Sequence, residues 1–368
     1  MQQSPRRIEP VACAAKIKAG LNLMNRTKSI LAAITGCVIT LLIFAADASA
    51  GYAPIEFREV WGYMMRGEEK KFSVDAPVTD ICYFSVGITY RGKLTSAARR
   101  PSIPDYNGQK RRIHLVVANL DNPALMHFCL DPWYGIRDRL VAGIVAHSID
   151  YDGVQIDFEA VQPADRDSFI EFLRLLRAGL PDGKVLSVAL PARRKKVVDA
   201  YDYGVISSIA DRVMVMAYDQ HWSSSRPGPV ASLEWCRAVA RFSRSNVPQG
   251  KLIMGLPLYG RSWQKNGYSR AVGGREIDKI LSRTDARFEY SVETGWVITC
   301  DEKVAVVLYF DDVTATREKL MMYRSYTDSV AFWRLGMEKR ELWENISIEN
   351  GGRRVAGAAE DPGVSRAD

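Results

Sequence analysis

The chain has 368 residues, 47% of them hydrophobic; that is enough for a large core, and an α/β barrel of about 250 residues would fit as one main domain. The formal net charge is +7, but six Lys/Arg and two acidic residues in the first 50 positions leave +3 over the remainder. The remaining cations are read as dispersed, without a dense Lys/Arg run or aromatic interleaving, which excludes nucleic acid as the expected partner.

In chain order, a basic flank ends at Lys28, an apolar run spans Ile30 to Ala45, and Ala48-Ser49-Ala50 follows as a small-residue cleavage site. Residues 1–50 are therefore expected to be a secretion signal, with Met24 as an alternative start. The rivals are an uncleaved membrane anchor, since the apolar run falls just short of the roughly 20 residues of a spanning helix, and lipid attachment at Cys37. Either way the expected location is exported: periplasmic, cell-surface or secreted.

Beyond Gly51, short β-type runs alternate with amphipathic stretches, the pattern of repeated β/α units. Strands are expected at Glu59 to Tyr63, Asp80 to Gly87, Ile113 to Ala118, Gly153 to Phe158, Lys184 to Leu190, Arg212 to Ala217, Lys251 to Leu256 and Ser329 to Arg334. Phe169, Phe172, Leu173, Leu176 and Leu180 recur at helical spacing and predict a helix packed on a sheet. No glycine-rich phosphate loop follows the first strand, so a closed (β/α)8 TIM barrel over 51–346 is preferred to an open doubly wound sheet. The connection 262–328, with strand-like pieces at Trp296 to Thr299 and Val304 to Phe310, predicts a small α+β insertion between strands seven and eight. It would stand beside the carboxyl ends of the strands, where barrel enzymes place their sites. The tail, 347–368, rich in Gly, Ala and charge, is expected to be disordered. Cys82, Cys129, Cys236 and Cys300 lack metal-ligand spacing and read as buried hydrophobes, with no particular disulfide expected.

The informative segment is Asp152-Gly-Val-Gln-Ile-Asp-Phe-Glu159. Alternate residues of a strand share a face, so Gln155, Asp157 and Glu159 point into the barrel, and Val154, Ile156 and Phe158 point to the helices. Asp152 has the opposite parity and is read as structural. Carboxylates in a barrel lumen are costly unless paired or neutralised. Glu159 at the rim is thus a candidate acid with a raised pKa, and Asp157 beneath it a hydrogen-bond acceptor. Taken alone, an Asp-x-Glu pair is more often an acidic strand end that binds neighbouring loops. Here three more motifs lie at expected strand ends: Met216-Ala-Tyr-Asp219, Met254-Gly-Leu-Pro-Leu-Tyr-Gly260 and Phe332-Trp333-Arg-Leu-Gly336.

Together these motifs resemble glycoside hydrolase family 18, the chitinase family, and are closest to its bacterial branch of spore cortex-lytic N-acetylglucosaminidases. The resemblance implies substrate-assisted retaining hydrolysis of a β-linked N-acetylglucosamine-containing glycan, chitooligosaccharide or peptidoglycan, with no cofactor, no metal and no stable protein partner. It implies Glu159 as proton donor, Asp157 as the residue that orients the acetamide N–H, and Tyr218 as donor to the acetamido oxygen. Asp219, Met216 and Gln155 would bind the sugar, and Trp333 would form the floor beneath it. Most family members carry Asp where Gln155 stands; Gln155 is expected to donate to Asp157 and hold it charged, with a changed pH profile. Arg261, Asp312 and Asn119 are weaker subsite candidates. The competing readings are a non-catalytic, lectin-like glycan binder and an endo-β-N-acetylglucosaminidase acting on N-glycans. A metal-dependent deacetylase is disfavoured, because none of the four histidines pairs at ligand spacing with an Asp.

Overall fold

A computed structural model describes residues 53–95, 99–264, 267–282, 286–301 and 305–349. The signal, anchor and Cys37 expectations lie outside these residues. Among the described residues, no helix is long and apolar enough to cross a membrane.

Fifteen strands are named in chain order: β1 (Ile55–Phe57), β2 (Glu59–Met65), β3 (Asp80–Val86), β4 (Arg112–Asn119), β5 (Gly153–Phe158), β6 (Val185–Pro191), β7 (Arg212–Met216), β8 (Leu252–Pro257), β9 (Tyr259–Gln264), β10 (Ser269–Gly273), β11 (Ala286–Ser291), β12 (Gly295–Asp301), β13 (Ala305–Phe310), β14 (Ser329–Trp333) and β15 (Ile346–Ile348). The helices are α1 (Pro123–Leu130), α2 (Arg137–His147), α3 (Arg166–Gly179), α4 (Tyr203–Ile209), α5 (Leu233–Asn246), α6 (Gly274–Leu281) and α7 (Val313–Arg324). Strands β2 to β8 and β14 close into an all-parallel barrel in the order β14-β2-β3-β4-β5-β6-β7-β8. Each expected strand lies within two residues of an observed one.

Outside the barrel, apolar residues of the strands meet amphipathic helices. Val154, Ile156 and Phe158 of β5 are buried, and Phe158 packs on Phe169 and Phe172 of α3 at ring-centroid distances of 6.1 and 5.5 Å. Each such side chain contributes roughly 1.5–3 kcal/mol when fully buried, so α3 is held by its apolar stripe.

Inside the barrel the filling is layered. At the amino ends of the strands, Arg212 makes a two-pronged contact with Glu59 (2.8 and 2.9 Å), Arg112 bridges Glu59 and Asp80, and His114 Nε2 lies 2.8 Å from Asp80 Oδ1. Burial pushes the His114 pKa down and leaves the ring neutral, so two carboxylates face two guanidiniums. The Trp61 ring stacks on His114 at 4.5 Å and begins an apolar layer of Tyr63, Cys82, Phe84, Met214 and Ile253. At the carboxyl ends the barrel opens into a cleft.

The insertion is a five-stranded antiparallel sheet, ordered β10-β9-β13-β12-β11, with α6 against it and Val272, Ile277, Ile298, Leu308 and Phe310 as its own core. Its bounds correct the expected 262–328. The sheet begins at Tyr259, and α7 belongs to the barrel, packing near α5 and β14. The expectation of a disordered tail from Ser347 also needs correction: β15 pairs in parallel with β1, and the Glu349 amide donates to the Phe57 carbonyl at 3.0 Å. Alternation of Ile346 and Ile348 around Ser347 allows that pairing, and residues 350–368 lie outside the described part. Cys82, Cys129 and Cys236 are buried free thiols.

Candidate active site

The carboxyl ends of β5, β7 and β14 place Asp157, Glu159, Met216, Tyr218, Asp219 and Trp333 around one cleft of about 1010 Å³. The inward parity of β5 sets Asp157 below Glu159, whose backbone amide donates to the Asn119 carbonyl at 2.8 Å. Asp157 is 3% exposed, and its Oδ1 has no hydrogen-bond partner. Burial, reinforced by the charge of Glu159, pushes the Asp157 pKa up to about 8. Glu159 is open to solvent within the cleft yet flanked by protein on most sides, so desolvation and then the charge of Asp219 raise its pKa. The two carboxyl groups therefore retain at least one proton at neutral pH.

Gln155 does not play either role expected of it. It is fully buried and does not line the cleft, so it cannot touch substrate. Its amide nitrogen donates to the Ser187 hydroxyl at 3.3 Å rather than to Asp157. With no donor from Gln155, desolvation dominates and Asp157 is protonated rather than held charged.

Beyond the last ladder residue of β7 the backbone turns through Ala217 and Tyr218, whose amides donate to the Val215 and Met216 carbonyls. Asp219 follows at φ +55°, a left-handed conformation that Asp tolerates better than most residues. Its Oδ1 accepts from the Tyr259 hydroxyl at 2.6 Å and from Arg261 at 3.1 Å. The first strand of the insertion thus orients Asp219. Burial holds the Tyr218 phenol far above its ordinary pKa, with Asp157 next among the causes, so the hydroxyl stays a donor. Trp333 packs against Tyr63 (5.1 Å) and Phe84 (4.9 Å), which fix its ring as part of the cleft floor.

Asp152 lies away from the cleft, accepting from Arg100 at 2.8 Å and from the Ile113 amide at 2.9 Å. Asp312 caps α7 and accepts from Trp296 at 2.9 Å, and Asn119 accepts from the Asn122 amide at 3.2 Å. Several lining residues escaped sequence reasoning: Met65, Phe84, Leu120, Trp222 and Trp235. So did the run Arg193-Arg194-Lys195-Lys196, which corrects the reading of the cations as dispersed. Its signal was visible as four adjacent cations directly after a strand. Among the described residues no three His, Cys, Asp or Glu side chains gather as metal ligands.

The sequence profile of Glycosyl hydrolases family 18 matches residues 138–338. The Bacillus subtilis (strain 168) protein named as a sporulation-specific glycosylase, YdhD, is 35% identical over 197 residues, covering 50% of this chain and 47% of its own length. A crystal structure of YdhD matches with a TM-score of 0.62 at 28% identity, over 70% of this chain and 91% of that one. The spore cortex-lytic enzyme SleL of Bacillus cereus shares the fold, with a TM-score of 0.69 at 21% identity over 81% of this chain and 76% of its own. The chain belongs to glycosyl hydrolases family 18. It spans about half the length of the curated relative YdhD.

Proposed function

We propose that the protein is a glycosidase that cleaves a β-linked N-acetylglucosamine-containing glycan by substrate-assisted retention. The observation that carries this reading is the pair Asp157 and Glu159, a buried carboxyl with one oxygen left without a hydrogen bond beneath a cleft carboxyl, both with raised pKa values. A group that must donate a proton near neutrality needs such an environment.

In this reading the sugar sits on Trp333, and its acetamido oxygen attacks the anomeric carbon while the bond to the leaving oxygen breaks. Glu159 gives its proton to that oxygen. That proton reaches Glu159 from Asp157, so Asp157 is ionised as it accepts from the acetamide N–H and balances the positive charge on the oxazolinium ring, and Glu159 is left as a carboxylate. The Tyr218 hydroxyl donates to the acetamido oxygen. Glu159 then takes a proton from water, which opens the ring with retention. No enzyme nucleophile is required; families of this type stand outside the two-carboxylate glycosidase scheme, so carboxylate spacing does not predict the stereochemistry here. Export directed by residues 1–50 would bring the enzyme to such glycans. The name of a Bacillus cereus relative, 24% identical over 293 residues, is cortical fragment-lytic enzyme, which suits a wall-derived glycan.

The test is product analysis by mass spectrometry on chitooligosaccharides and on peptidoglycan strands, with wild type beside Glu159→Gln. Cleavage next to N-acetylglucosamine that vanishes in Glu159→Gln is expected. Binding of both glycans without cleavage by wild type would replace this reading with that of a lectin.

A further inference from the structure

The cleft is electrically divided. Asp157, Glu159 and Asp219 lie on its floor, and Arg193, Arg194 and Lys195 stand on the wall that follows β6. A neutral glycan needs no such wall. A glycan carrying carboxylates would find complementary charge on that wall.

The wall is built rather than incidental. Arg193 Nε and Nη2 both donate to Asp199 Oδ2, at 3.0 and 2.7 Å, while Asp199 Oδ1 accepts from the Tyr201 amide at 2.9 Å. The Tyr201 hydroxyl donates to the Phe158 carbonyl at 2.8 Å and accepts from the Val161 amide at 3.1 Å, tying the loop to the chain on either side of Glu159. Arg193 is thus consumed in closing the loop. Arg194 and Lys195 follow it within the loop, line the cleft, and are exposed and without a hydrogen-bond or ion-pair partner among the described residues. Adjacent like charges left unpaired beside a substrate cleft repel one another, and an anion bound between them relieves that repulsion.

We infer that Arg194 and Lys195 select an acidic glycan: one whose carboxylates, carried on its sugars or on peptides attached to them, reach the β6 wall while an N-acetylglucosamine unit occupies the floor. This rests on the glycosidase reading above and narrows its substrate class from neutral chitin-type chains to strands of the peptidoglycan type. Arg194 and Lys195 are in this reading specificity-determining residues rather than catalytic ones.

The experiment is a fluorescence titration of full-length Glu159→Gln protein, in which the cleft tryptophans report binding and the ligand survives. The probes are tetra-N-acetylchitotetraose, a peptide-free tetrasaccharide alternating N-acetylglucosamine with N-acetylmuramic acid, and the same strand bearing its peptides. At least one acidic probe is expected to bind roughly tenfold tighter than chitotetraose at low ionic strength. That preference should collapse near 1 M salt, where the Debye length is about 3 Å. Adding Arg194→Gln with Lys195→Gln should remove it, and Arg194→Lys with Lys195→Arg should restore it, which separates lost charge from a damaged loop. Equal affinity for all three probes, or a preference that survives the double glutamine variant, would overturn the inference. Failure of wild type to cleave any probe, with charge-selective binding intact, would overturn the glycosidase reading and leave this one standing.

Discussion

The Gln155 amide nitrogen is turned to Ser187, and Asp157, its neighbour on the same face of β5, is left with a buried carboxylate oxygen that no group donates to. The Asp157 pKa accordingly stands at about 8 in the folded protein, against about 4 for an unfolded aspartate. A carboxyl with a raised folded pKa adds stability that is fully present below the unfolded value and is lost as pH climbs to the folded one. Asp157→Asn, which cannot ionise, is expected to match wild type in thermal midpoint near pH 4 and to exceed it by a growing margin up to pH 8. The same variant should lose activity by roughly 10²-fold or more, because the developing positive charge loses its counter-ion. A midpoint difference that is flat with pH would count against the buried, protonated Asp157.

Turnover should follow the same protons. With Glu159 needed in its acid form and the pair holding a proton up to about pH 8, kcat/KM is expected to fall above that value. Gln155→Asp adds a carboxyl next to the pair, and a like charge nearby raises pKa, so the basic limb of the profile should shift upward. Turnover should change by less than about tenfold, since no contact to substrate is altered. A basic limb that moves to lower pH would contradict the arrangement.

Gly255 on β8 gives Tyr218 its place. A Cβ at that position would stand 3.0 Å from Tyr218 Cε1 and 2.8 Å from the Val215 carbonyl oxygen. Gly255→Ala is expected to displace the phenol, lowering kcat by roughly 10²-fold with a smaller effect on KM, and to cost about 1–3 kcal/mol of stability from overpacking. Placed on a Tyr218→Phe background, it should add little further loss of kcat. Additive losses in that double-variant cycle would show that Gly255 acts elsewhere.

On the barrel floor, Glu59 is 2% exposed, and burial pushes its pKa up, but Arg212 and Arg112 together hold it below its ordinary value. Asp80 is likewise held low, against burial, by Arg112 and His114. Arg212→Met is expected to destabilise by about 3–5 kcal/mol at pH 7, since it removes one partner of a buried ion pair. Stability from carboxylates with lowered pKa is present above their unfolded values and is lost as pH falls through the folded ones. The gap between Arg212→Met and wild type in urea unfolding should therefore narrow below about pH 4. A gap independent of pH would mean that packing, not charge, is what Arg212 supplies.

What the chain alone determined is the repeating part. The alternation of Val154, Ile156 and Phe158 with Gln155, Asp157 and Glu159 has the period of a strand, and the spacing of Phe169, Phe172, Leu173 and Leu176 has that of a helix; such periods are local and survive without knowledge of neighbours. Repeated eight times, they specified the barrel and its inward faces, Asp157 and Glu159 among them; Tyr218 and Trp333 were legible only through motifs that resemble those of the family. Tertiary structure alone decided the partners. Glu59 meets Arg212 across 153 positions, Tyr259 reaches back from the insertion to Asp219, and the Gln155 amide chooses Ser187 on the next strand. It also decided that, of four adjacent cations, Arg193 would clamp a loop while Arg194 and Lys195 line the cleft wall. Hydrogen bonds and desolvation depend on what surrounds a side chain in three dimensions, and barrel closure brings together residues that no sequence period connects.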